Sequence, residues 1–125
     1  ATPDVSEANY QIVRDALRGV ATENRDVSND FSRYDFTFAA KTGTAEVAGK
    51  QDFAWFACYA PYEDPRFALA LCIEEGGSGG AVASPVAARV MKAAIDYSNG
   101  VTIDYEKISV GTPGKTQQAG GESNE

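Results

Sequence analysis

Apolar positions along this chain follow two different periods. Between Ser6 and Ala21 they recur at helical spacing, through Ile12, Val13, Ala16, Leu17 and Val20, which puts one apolar stripe on an amphipathic helix. Ser6 suits the N-cap and Glu7 the first turn, where a carboxylate meets unpaired N–H groups. Gly19 weakens this helix by about 1 kcal/mol relative to alanine. Thr22 to Asp35 is polar, carries charges of both signs and reads as a loop. The aromatic and β-branched run Phe36-Thr37-Phe38-Ala39-Ala40 then predicts a strand from Phe36 to Glu46. Val47 to Asp52, with Gly49, is a short connection. Phe53 to Ala60 and Arg66 to Glu74 are two further strands, joined by the turn Pro61-Tyr62-Glu63-Asp64-Pro65. Neither alternates cleanly between polar and apolar residues, which predicts a sheet covered on both faces. On that account Trp55 and Phe56 pack in the core rather than form a ligand platform.

Gly76-Gly77-Ser78-Gly79-Gly80 has the composition of a flexible linker, but it joins a strand to a helix within one unit and reads as a loop at a cleft rim. Ser84 and Pro85 suit the N-cap and first position of that helix. Val86, Val90, Met91, Ala94 and Ile95 form its stripe, and Asn99-Gly100 follows as the stop signal after Tyr97. Val101 to Tyr105 allows a brief extended piece. Beyond Gly111 the Gly, Pro, Gln and Ser content predicts disorder. The pattern as a whole predicts an α+β fold, with an antiparallel sheet of about three strands flanked by an N-terminal and a C-terminal helix.

Composition narrows the functions. A chain of 125 residues allows one domain at most. Its net charge of −7 provides no basic stripe for phosphates, so nucleic acid is excluded as a partner. The absence of histidine removes Ser-His-Asp and Cys-His arrangements and most zinc sites; no metal site and no cofactor is expected. Cys58 falls opposite about Leu69 or Ala70 across the predicted hairpin, which leaves Cys72 diagonal at best. A disulfide needs Cβ atoms within about 4.5 Å, so both cysteines are expected as free thiols filling apolar space. No signal peptide or membrane-spanning run is visible in the sequence.

The candidate chemistry lies in Lys41-Thr42-Gly43-Thr44-Ala45-Glu46. On a strand, Lys41 and Gly43 share one face and Thr42 and Thr44 the other. A lysine beside a bare glycine suits a cleft: the ammonium supplies positive charge, and the missing side chain admits another backbone. Two hydroxyls and the Thr44 N–H are donors suited to a carboxylate or a developing oxyanion. Taken alone, these residues are open to a plainer account, in which a strand lysine guards against edge-to-edge pairing and threonine is simply a good strand residue.

The surroundings bear on that choice. Lys-Thr-Gly is one of three motifs of penicillin-binding proteins and class A β-lactamases. The chain resembles the C-terminal part of a penicillin-binding transpeptidase domain over roughly residues 5 to 97. The resemblance runs through Ala39 to Glu46, through Ala54-Trp55-Phe56-Ala57-Cys58-Tyr59-Ala60-Pro61, through Phe67 to Glu74, and through Gly79-Gly80-Ala81-Val82-Ala83-Ser84-Pro85-Val86-Ala87. The class B, monofunctional members are the most similar. Ala40 departs mildly, where the family often has glycine before the lysine.

The resemblance implies the C-terminal portion of the penicillin-binding and serine β-lactamase-like fold, with residues 1–97 as an incomplete transpeptidase domain and 98–125 as a polar tail. It implies a peptidoglycan D,D-transpeptidase, which cross-links stem peptides through a serine ester and binds β-lactams. By resemblance Lys41 holds the site electropositive and bonds the hydroxyl of a Ser-x-Asn motif. Thr42 and Thr44 bind the terminal carboxylate of a D-Ala-D-Ala stem peptide or a penicillin. The Thr44 N–H is one oxyanion donor, and Gly43 leaves room for the acyl group. The family's nucleophile sits in Ser-x-x-Lys, yet no serine here is followed three positions later by Lys or two later by Asn. Ser28-Asn29-Asp30 does not serve, since its order is wrong and the family's element lies far upstream. The chain is therefore expected to be inactive alone, to leave the edge of the Arg66–Glu74 strand and part of a sheet face open, and to pair there with the missing N-terminal part of its domain or with itself. Its parent is expected outside the cytoplasm, anchored by an N-terminal helix that this sequence lacks. A related β-lactamase or β-lactam sensor, or a non-catalytic scaffold, are the alternative readings.

Overall fold

The computed structural model describes residues 4–103. Its elements in chain order are α1 (Glu7–Glu23), α2 (Arg25–Phe31), β1 (Ala39–Ala45), β2 (Phe53–Ala60), β3 (Phe67–Ile73), a π-helical turn (Gly79–Ala83) and α3 (Ser84–Ser98). The fold is α+β, as the patterning predicts. Helix α1 starts as expected, with Ser6 Oγ accepting from the Asn9 N–H at 3.3 Å.

The stretch from Thr22 to Asp35 is not all loop. Asn24 Oδ1 accepts from the Val27 N–H at 3.3 Å and caps α2. The helix holds because Val27 and Phe31, four residues apart and so on one face, are both buried. The Phe31 ring stacks on Phe38 with centroids 3.8 Å apart, which ties this short helix to the start of β1.

The sheet is antiparallel throughout, in the order β1-β2-β3. Thr42 faces Phe56 and Phe56 faces Leu71, while Gly43 faces Trp55 and Trp55 faces Cys72. One face carries Ala40, Ala54, Phe56, Cys58 and Ala60, all buried in one core with residues of α2, the π-helical turn and α3, Met91 among them. The other face is not covered as the lack of alternation predicts, but partly open, as expected where the N-terminal part of the domain is missing. Leu17 of α1 reaches it near Ala39 and Tyr59, but Trp55, Ala57, Ala68 and Ala70 are exposed. Trp55, at 45%, is therefore not a core residue, whereas Phe56, at 1%, is. The open face is lined with alanines rather than polar residues, which is why alternation is invisible in the letters.

Cys58 faces Leu69 on the buried side and Cys72 faces Trp55 on the other; both are free thiols. Helix α3 begins at Ser84 itself, so Ser84 is not its cap. The capping serine is Ser78, whose Oγ accepts from the Ala81 N–H at 3.3 Å at the start of the π-helical turn. Ser84 is fully buried and its Oγ has no partner among the described residues. After Asn99 the chain carries no strand over 101–103. The expected disorder beyond Gly111, and the rest of the extended piece toward Tyr105, lie outside the described residues. No described helix is long and apolar enough to cross a membrane.

Candidate functional site

Strand β1 is held at its entry by α1. Arg18 donates to the Phe38 carbonyl oxygen at 2.7 Å and Arg14 to the Tyr62 carbonyl oxygen at 2.9 Å. Both guanidinium groups lie over the Tyr62 ring, 5.2 Å and 5.4 Å from its centroid. The Tyr62 hydroxyl donates to Asp15 at 3.1 Å, and its N–H donates to Thr37 Oγ1 at 3.0 Å. Thr37 in turn donates to Glu63, and this bond holds the Glu63 carboxyl below its ordinary range. The network joins α1, the β2–β3 turn and the residues just before the motif. Sequence periodicity does not single out Arg14, Arg18 or Tyr62; their only advance signal is two arginines four apart on one helix face.

From this anchor β1 runs out as an edge strand, bonded to β2 and, among the described residues, to nothing on its other side. Lys41 is exposed and makes no ion pair among those residues. It borders a groove of about 380 Å³ floored by Ala57, Ala68 and Ala70 and walled by Leu17. A larger concavity of about 530 Å³ lies beyond Leu17, against Val13, Arg14 and Tyr59, and contains none of the motif residues.

Lys41 Nζ donates to the Thr42 carbonyl oxygen at 2.5 Å. That carbonyl is thus turned away from β2, toward the free edge. Peptide groups of an antiparallel strand alternate between facing the neighbour and facing away, so Thr44, two residues on, presents its N–H to the same edge. Gly43 faces inward between them. Consistent with this, the Gly43 nitrogen, the Gly43 oxygen and the Trp55 oxygen all surround one point above Gly79. The side chains sort as the period demands: Thr42 is half-buried and Thr44 exposed on the helix-covered face, with Lys41 and Gly43 on the other. The four motif residues therefore make one ledge along the free edge, exposed at Lys41 and Thr44 and half-buried at Thr42 and Gly43. It offers an ammonium, two hydroxyls and an outward N–H within four consecutive residues, a donor set for an anionic or carbonyl ligand.

Residues 2–92 match the family model for the penicillin binding protein transpeptidase domain. The chain belongs to this family. It is 31% identical over 108 residues to the peptidoglycan D,D-transpeptidase MrdA of Haemophilus influenzae, covering 71% of this chain and 17% of that protein. Among solved structures it is similar to the D,D-transpeptidase domain of a peptidoglycan glycosyltransferase from Eggerthella lenta. That likeness has 34% identity, a TM-score of 0.63, and covers 78% of this chain and 22% of the other. Penicillin-binding protein A from M. tuberculosis, solved as its imipenem acyl-enzyme complex, is 27% identical with a TM-score of 0.59, over 73% of this chain and 20% of that one. The transpeptidase segment in hand thus spans roughly a fifth of these relatives' length.

Proposed function

We propose that this chain supplies the Lys-Thr-Gly-Thr wall of a peptidoglycan D,D-transpeptidase, whose nucleophilic serine is carried outside this sequence. The observation behind the reading is the ledge itself: the motif stands on the free edge of the sheet, with Lys41 exposed and the Thr44 peptide turned outward. In such an enzyme the serine Oγ attacks the penultimate D-Ala carbonyl of a stem peptide, the terminal D-Ala leaves, and an amine of a second stem peptide takes the acyl group. A β-lactam follows the first step, its ring opening instead of releasing an alanine. The imipenem acyl-enzyme of penicillin-binding protein A supports reading this chain as part of a β-lactam target.

The residues have distinct tasks. Thr42 and Thr44 receive the terminal carboxylate through their hydroxyls, and the Thr44 N–H is one of two donors for the developing oxyanion. Such a donor is worth roughly a hundredfold or more in rate. Lys41 keeps the site electropositive, so that the Ser-x-Asn hydroxyl can relay protons. Gly43 leaves the acyl group room, and the peptide lies along β1 as an added strand. Residues 1–97 form the transpeptidase portion in this reading. The open face at Trp55, Ala57, Ala68 and Ala70, with the outer edge of β3, is where the rest of the domain or a second copy docks. The working site faces the cell exterior.

The test is labelling with a fluorescent penicillin. The chain alone is expected to take no label, while the chain combined with a preceding segment that carries Ser-x-x-Lys is expected to be labelled at that serine. Stoichiometric labelling of a serine within this sequence would defeat the reading, as would failure of the completed domain to react.

A further inference from the structure

We infer that Gly79 is a positioning residue for β1, the stop against which the Gly43 peptide rests and which thereby sets where Thr42 and Thr44 stand on the free edge. The inference rests on the proposed role of that edge. A Cβ placed on Gly79 would lie 2.3 Å from the Trp55 carbonyl oxygen, 2.4 Å from the Gly43 carbonyl oxygen and 3.0 Å from the Gly43 nitrogen. All three are backbone atoms of residues that face each other across the ladder, so none can swing aside as a side chain would. Only hydrogen fits between Gly79 and the strand.

The stop is not part of a slack loop. Gly79 is itself buried and opens the π-helical turn, where the Val82 N–H donates to the Ser78 carbonyl oxygen at 2.9 Å. That turn ends at the fully buried Ala83 and passes straight into α3, where Ser84 and Ala87 are fully buried as well. π-Helical turns are rare and concentrate at functional sites, and here the turn fixes a glycine Cα to the core on one side and to the motif on the other. A Cβ on Gly43 would already meet the Trp55 Cβ at 3.1 Å on the opposite face. The Gly43–Trp55 pair is thus pressed by Gly79 from the helix-covered face, and Thr42 and Thr44 are the immediate chain neighbours of Gly43.

Two other glycines of the same loop separate positioning from packing. A Cβ on Gly80 would meet Thr42 Cγ2 at 3.8 Å, an ordinary contact. A Cβ on Gly76 would crowd Ile73 at 2.9 Å and Ala54, which faces Thr44 in the ladder, at 3.1 Å, but its nearest atoms include none of the Gly43–Trp55 pair. The experiment uses the complete transpeptidase carrying Gly79→Ala, Gly80→Ala or Gly76→Ala. Fluorescent-penicillin acylation is resolved into the affinity of the non-covalent complex and the acylation rate constant, alongside thermal unfolding. Gly79→Ala is expected to lower the rate constant about tenfold to a hundredfold, the scale set by sub-ångström to ångström misplacement of a reacting group. Gly80→Ala is expected to leave it unchanged, and Gly76→Ala to lower the melting temperature but not the rate constant. A wild-type rate constant in Gly79→Ala, or an equal loss in Gly76→Ala, overturns the inference. If Gly79→Ala does not fold, one glycine inserted after Gly77 decides instead: it slackens the stop without adding bulk, and a wild-type rate constant there overturns the inference. An unmodified enzyme that takes no label refutes the proposed function; one that labels normally while Gly79→Ala also does refutes only the role of Gly79.

Discussion

Arg18 reaches across from α1 to donate to the carbonyl oxygen of Phe38 at 2.7 Å, three residues before the lysine of the motif. The guanidinium also lies over the Tyr62 ring, so one side chain joins a helix, a turn and the entry to the strand that carries Lys41 to Thr44. Hydrogen bonds from a charged donor contribute about 1.5–3 kcal/mol. Arg18→Ala is therefore expected to cost roughly 1–3 kcal/mol in urea unfolding and to speed amide exchange at Ala39 and Lys41, whose N–H groups face β2. Arg18→Lys keeps a donor but loses the planar stack, and should recover only part of the loss. Unchanged exchange at those two amides in Arg18→Ala would mean that β1 is held from elsewhere.

Trp55 and Phe56 are adjacent, similarly bulky and on opposite faces of β2, one 45% exposed and the other 1%. Truncating a buried phenylalanine costs about 3–5 kcal/mol through lost burial and the cavity left behind. Phe56→Ala is expected to fall in that range, while Trp55→Ala in this chain should cost no more than about 1 kcal/mol, as surface substitutions do. Urea midpoints with an unchanged slope would measure the difference. Equal losses at the two positions would contradict the open face.

How far the letters carried the reading depends on how local each signal is. The helix from Ser6, the three strands and the turn at Pro61 to Pro65 all announce themselves within a few residues, by cap, period or proline. Helix α2 hides because its seven residues are mostly polar, and its sole markers are the Asn24 cap and the Val27–Phe31 spacing. The open sheet face is hidden from the hydrophobic pattern because Ala57, Ala68 and Ala70 read as apolar whether covered or not; only the resemblance to a longer domain pointed to it. The Lys41–Thr44 ledge was readable because the period of a strand assigns its faces. The contact of Gly79 with Gly43 was not, since it joins two backbones distant in sequence and has no period. The same holds for Arg14 and Arg18, whose partners are carbonyl oxygens of any residue type.

The outward turn of the Thr44 peptide can be checked with proline. An edge strand tolerates proline where the lost N–H faces away from the ladder. Thr44→Pro is thus expected to leave the sheet folded, with near-native circular dichroism and a modest change in midpoint. It should nonetheless lower acylation of the complete transpeptidase about a hundredfold or more, the scale for losing an oxyanion donor. Gly43→Pro is the counterpart, since its N–H faces Trp55 and its loss should unfold β1. Were Thr44→Pro the more disruptive of the two, the assignment of inward and outward peptides would be reversed.

Cys58 and Cys72 provide a last test, of the two faces together. Burial pushes the Cys58 thiol from an ordinary value of 9.0 up to about 12, whereas Cys72 lies half-buried on the other side of the sheet. A thiol reagent at pH 8 is expected to modify Cys72 in the folded protein and Cys58 only as the chain unfolds, because the thiolate is the reactive form. The sign of the pH dependence follows from linkage. Below about pH 9 the Cys58 thiol is neutral in both states and has no effect. As pH rises from about 9 toward about 12, the unfolded chain loses this proton while the folded one keeps it, so stability falls across that window. Cys58→Ala should flatten that alkaline slope while itself lowering stability at neutral pH. A slope unchanged by Cys58→Ala, or prompt labelling of Cys58 at pH 8, would place that thiol at the surface and the helix-covered face with it.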